Sequence, residues 1–217
     1  MVFCCPLDPF SVFLSQQKTH PMYPPITPPP GIPASRDART KQQVKAYFAW
    51  FMSERLSRVA VLETEVRKHP GMEEWSADFS PQSLAALGEW FAATVAIRKL
   101  ATPFVPANGP AGMPATEWEL AGETFTRCFD VGIYLGEVLV HSQSGAWVSS
   151  HALSTRSINY GDALVKGVRP TPCNPGRLMV TLAYGLAAKE KKAADVARIY
   201  HIWAEILTST SGDFRKT

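Results

Sequence analysis

From Val44, apolar residues recur every three or four positions through Tyr47, Phe48, Phe51, Leu56, Val59 and Leu62 to Val66, the period of one buried helical face. Thr40 and Gln43 precede this run with the spacing of a capping box, in which each side chain satisfies a first-turn amide of the other. The pattern predicts a long helix over 40–68. His69-Pro70-Gly71 ends it, since proline cannot continue the hydrogen-bond ladder and glycine accepts the left-handed geometry of a helix end.

A second helix is signalled by Phe79-Ser80-Pro81, with Ser80 as cap, Pro81 at the first helical position and Phe79 stapled onto Leu84. Leu84, Leu87, Trp90, Phe91, Val95 and Ile97 form its apolar face. Residues 102–114 carry four prolines and two glycines and read as a surface connection. The third helix follows Thr116 and Glu119, a second capping-box pattern, with Trp118, Ala121, Phe125, Cys128, Gly132, Leu135 and Leu139 as a continuous seam. Gly132 and Gly136 each weaken a helix by about 1 kcal/mol relative to alanine, so another backbone is expected close against them.

Beyond His141 the period shortens, and residues 146–148, 157–160 and 163–168 read as short strands of a small antiparallel sheet. Asn174-Pro175 opens a fourth helix through Leu178, Met179, Leu182 and Leu186. After a break at 189–192, Val196, Ile199, Tyr200, Trp203, Ile206 and Leu207 mark a fifth. The expected fold is therefore α+β, mainly α: about five helices with a small antiparallel sheet after the central one. Its single globular domain spans 40–209, behind a disordered proline-rich tail over 1–39 and ahead of a flexible C-terminus over 210–217. The tail, PMYPPITPPPGIP from Pro21 to Pro33, reads as an unstructured leader, with Met22 as an alternative start or a PxxP ligand as alternatives.

Composition narrows the role. With 46% hydrophobic residues in 217, the chain can bury a sizeable core, and a net charge of +3 provides no footprint for nucleic acid or anionic lipid. No stretch of 18 apolar residues offers a transmembrane helix, and MVFCCPLDPFSVFL lacks the basic start of a signal peptide, so the cytoplasm is expected. Cys4, Cys5, Cys128 and Cys173 lack zinc-site spacing, Cys128 reading as a small core residue. There is no GxGxxG, GxxxxGK[ST] or GxSxG, so no cofactor or metal is expected.

One polar constellation stands out on the central helix. Asp130, Tyr134, Glu137 and His141 are spaced by four, three and four and share a face, with Trp147 placed to line a groove beside it. Such a face is either a buried hydrogen-bond network pinning the helix to the sheet, with Asp130 paired to an arginine such as Arg127, or a catalytic site with Glu137 and His141 as base and partner. The stretch DVGIYLGEVLVHSQSGAWV, with the strands and the Asn174-Pro175 helix after it, resembles an uncharacterised type of bacterial helical domain. That resemblance implies the order of elements over roughly 44–207 and carries no reaction. The leading expectation is a non-catalytic, protein-binding module, immunity-type or otherwise inhibitory, with an unidentified protein partner. The alternative is a small-molecule hydrolase built on the same face, covered by Trp147. Oligomeric state is open.

Overall fold

The computed structural model describes residues 23–208 apart from 34, 108 and 144. Most of the expected leader, with Cys4 and Cys5, and the expected C-terminal extension lie outside the described residues. The first helix, α1 (Lys41–Arg67), starts at its capping box: Gln43 N donates to Thr40 Oγ1 at 3.3 Å and Thr40 N to Gln43 Oε1 at 2.9 Å. Leu56 falls outside its buried stripe and is 50% exposed. The second, α2 (Ser83–Thr94), begins two residues after Pro81, with Ser80 Oγ accepting from Ser83 N at 3.3 Å. Phe79 turns its ring onto Tyr134 and His141, where a staple onto Leu84 was expected.

Here sequence and structure part. Ile97 and residues 102–104 belong to β1 (Ile97–Phe104), and the second capping-box pattern belongs to β2 (Thr116–Leu120), paired antiparallel with Ile97 opposite Leu120 and Phe104 opposite Thr116. Thr116 Oγ1 donates to Trp118 O at 2.6 Å, forward along the strand, so it caps no helix. The central helix, α3 (Gly122–Gln143), starts five residues later than a cap at Thr116 suggested. Thr124 fixes that start, its hydroxyl accepting from Ala96 N and donating to Ala96 O, each at 3.0 Å. Pro103 lies where the β1–β2 register shifts, between Lys99 and Phe104, an irregularity that tolerates a missing ladder amide.

Next, β3 (Ala146–Ser149) and β4 (Ala163–Lys166) form a second antiparallel pair, with Trp147 opposite Val165. Residues 157–160 are turns, contrary to the strand expected there: Ser154 and Ser157 hydroxyls accept from Arg156 N and Asn159 N, and these local bonds displace a ladder. The closing pair is α4 (Pro175–Ala187), capped by Asn174 Oδ1 on Arg177 N at 3.1 Å, and α5 (Asp195–Thr208). The fold is α+β, mainly α, with five α-helices and two two-stranded sheets among the described residues.

Every residue of α3 from Asp130 to Leu139 is buried, so this helix is the axis of the core. A Cβ on Gly132 would come within 2.7 Å of Gly176 Cα, the expected close backbone approach, here to the first turn of α4. Gly136 faces a side chain instead: a Cβ there would enter the indole of Trp147. Tyr23, Pro24, Pro33 and Arg39, read as tail from sequence, are held on this core. Tyr23 is 3% exposed and its ring lies 6.2 Å from that of Trp90. Proline-rich backbone leaves its carbonyls unpaired, and arginines collect them: Arg58 Nη2 donates to Pro24 O at 3.0 Å and Arg39 Nε to Pro33 O at 2.9 Å. Among the described residues no helix is long and apolar enough to cross a membrane.

Candidate functional site

The polar face of α3 does form, and it is spent on holding elements together. Asp130, fully buried, accepts Arg58 Nε on Oδ1 at 2.8 Å, and on Oδ2 both Arg58 Nη2 at 2.5 Å and Tyr23 Oη at 2.6 Å. Burial pushes its carboxyl up, while the bonds from Arg58 and Tyr23 hold it down. Arg127 is not its partner; it binds Glu123 at 3.2 Å and Thr94 O at 2.9 Å. Glu137 Oε1 accepts Arg55 Nε at 3.0 Å and Trp147 Nε1 at 2.8 Å. Arg55 and Arg58 ascend α1 as Glu137 and Asp130 descend α3, so the helices run antiparallel and are clamped at two levels.

Tyr134 points at the turn before α2, where its oxygen accepts Phe79 N at 3.1 Å and lies 2.7 Å from Ser83 Oγ. Phe79 is held at φ +58°, a left-handed conformation costly for a bulky residue. Its ring stacks on His141, with centroids 4.7 Å apart and planes within 8°. His141 Nδ1 donates to the carbonyl of Glu137 at 2.8 Å, within its own helix. The four residues thus diverge to α1, the 78–83 turn and Trp147 of β3.

A concavity does exist beside them, and of the five candidate residues only Trp147 lines it. It holds about 200 Å³, between α1, α3, β3 and the start of α4. Aromatic rings form one wall: Phe51 lies 4.8 Å from Trp147 and 6.0 Å from Phe129, with Tyr47 and Phe125 beside them. A polar group forms another. Asp162 Oδ2 accepts Asn174 Nδ2 at 2.8 Å and Arg36 Nη1 at 3.2 Å, and Arg177 completes the lining. Arg177 Nη1 is shielded from solvent and has no hydrogen-bond partner among the described residues. Burial pulls its guanidinium pKa down, Arg36 adds repulsion, and Asp162 offsets part of this. Burial likewise pushes the Asp162 carboxyl up against the pull of Asn174 and Arg36.

Sequence reasoning missed Arg36, Asp162 and Arg177. Arg36 lay in the supposed tail and Asp162 in an unpatterned turn; only the Asn174-Pro175 signal pointed near the place. No three His, Cys, Asp or Glu side chains gather as a metal site among the described residues. No family model, no curated protein and no solved structure matches this chain, so the cavity is interpreted on its own chemistry.

Proposed function

We propose that this chain is a non-catalytic binding module whose binding centre is the aromatic-walled cavity. The observation that carries this reading is the division of labour on α3: Asp130 is held through both oxygens by Arg58 and Tyr23 and Glu137 through Oε1 by Arg55 and Trp147, while the open space beside them is walled by Phe51, Phe129 and Trp147. Preformed apolar pockets with a few convergent polar groups are the usual form of a ligand site. An immunity-type role is one instance of this function, in which a protein partner presents the recognised group. Cytoplasmic residence is proposed too, supported by Cys128 and Cys173 as buried free thiols. Membership of the bacterial helical domain type rests on the Asp130 to Glu137 motif.

Toluene, a bare ring, tests the cavity. Titration followed by NMR should perturb Phe51, Phe129 and Trp147 saturably, and an absence of saturable shifts overturns the reading. Incubating the protein with a metabolite extract tests the non-catalytic claim: depletion of a compound with appearance of its product contradicts it.

A further inference from the structure

We propose that the cavity selects an aromatic group carrying a carboxylate, with the ring against Phe51, Phe129 and Trp147 and the carboxylate on Arg177. This rests on the cavity being the binding centre and adds the chemistry of what enters it.

Size sets the first limit. An apolar cavity of about 150 Å³ admits benzene. The roughly 200 Å³ available here accommodates a six-membered ring with a short acidic substituent. The aromatic wall favours a ring over a flexible chain, because edge and face contacts add to the area buried.

Charge sets the second. Two arginines and one aspartate line the space, and the aspartate is already engaged by Arg36 and Asn174. Arg36 is further tied to Ile158 O at 2.5 Å. The surplus is one positive charge, and it resides on Arg177, whose Nη1 is shielded and without a hydrogen-bond partner among the described residues. Arg177 lines the cavity with a guanidinium of which one nitrogen is unbonded, and a carboxylate seated there supplies both an acceptor and the missing charge. Arg177 also occupies the first turn of α4, where the positive end of the helix dipole adds in the same sense. A cationic ligand is repelled, and a neutral carbonyl supplies an acceptor without the charge.

The ring-plus-carboxylate chemistry has two sources, a free aryl acid or the C-terminal aromatic residue of a protein partner. Calorimetry with phenylacetate, phenylacetamide, benzylamine and toluene, together with a short peptide ending in phenylalanine as free acid and as amide, separates them. Phenylacetate should bind about tenfold or more tightly than phenylacetamide, with benzylamine weaker still. Arg177→Met should erase the preference of acid over amide while toluene binding persists, and its melting temperature should hold or rise because a shielded, unbonded nitrogen has gone. Tighter phenylacetate than peptide acid assigns the free acid; the reverse assigns a chain terminus, and both support the shared chemistry. Equal affinity for acid and amide, or undiminished acid binding by Arg177→Met, overturns the anion inference. If toluene still binds in that case, the cavity reading survives alone; if no probe binds, both fall. The acid-to-amide comparison needs only the unaltered protein, so the inference is decided even if the variant does not fold.

Discussion

Arg58 Nε and Nη2 grip both carboxylate oxygens of Asp130, at 2.8 and 2.5 Å, in a place from which water is excluded. Such a pair is weak evidence for net stability, yet breaking it from one side is expensive, because the remaining charge is stranded. Asp130→Ala should cost about 3–5 kcal/mol, read from urea unfolding midpoints. The double replacement Arg58→Met with Asp130→Leu should recover most of that loss. A double variant no more stable than Asp130→Ala would mean that the pair contributes directly.

The three glycines of α3 make distinguishable predictions. At Gly132 the obstacle is the backbone of Gly176, which cannot swing away, so Gly132→Ala should be destabilising by about 1–3 kcal/mol. Gly136→Leu must displace the Trp147 indole and with it the bond to Glu137, and should cost at least as much. Glu137→Gln keeps an acceptor for Trp147 and leaves Arg55, which is 24% exposed, within reach of water, so it should be milder. Gly122, where a new Cβ meets nothing within 4 Å, is the control: Gly122→Ala should be neutral or stabilising by up to about 1 kcal/mol. Thermal melts of the four variants check the order.

Tyr134 holds the strained turn before α2. Tyr134→Phe removes the acceptor for Phe79 N and the partner of Ser83 Oγ, and should cost about 1–3 kcal/mol. Faster amide exchange confined to residues 78–83 would mark the loss as local.

The same turn carries a pH signature. The amide of Ser80, donating to Asp78 Oδ1 at 2.8 Å, is the main cause holding that carboxyl below its ordinary value. Its contribution to stability is therefore fully present above the ordinary carboxylate range and is lost as pH falls through the folded-state value. Asp78→Asn should lower the melting temperature near neutrality, with the gap to the parent closing in acid. A gap independent of pH would assign the effect to something other than the charge.

A chain beginning at Thr40 lacks Tyr23, the Pro24 carbonyl that Arg58 uses, and Arg39 itself, whose guanidinium lies over the Tyr47 ring. It should be clearly less stable than the full chain, and Tyr23→Phe should reproduce part of the loss, about 1–3 kcal/mol for a hydrogen bond to a charged group. Equal unfolding midpoints for the shortened and full chains would show residues 23–39 to be dispensable.

Where partners lie within a few residues, the sequence by itself determined the structure. Thr40 with Gln43 starts α1, Asn174-Pro175 starts α4, and the three-and-four spacing from Phe125 to Leu139 makes α3 the buried axis. Asp130, Tyr134, Glu137 and His141 share a face because helical geometry leaves no choice. What those side chains touch was decided only by tertiary structure. The Thr116 and Glu119 spacing matched that of Thr40 and Gln43, yet it became strand, because pairing with β1 and the anchoring of Thr124 on Ala96 outweighed a local cap. Asp130 met Arg58 rather than nearby Arg127 because α1 crosses α3 at that level. Arg36, Asp162 and Arg177 are separated by well over a hundred residues at the extremes, and no periodicity links them. Their convergence follows from the close crossing of α3 and α4 at Gly132 and Gly176 and from the anchoring of Arg36 and Arg39 on Asp162 and Gly161, which chain connectivity permits but local pattern does not encode.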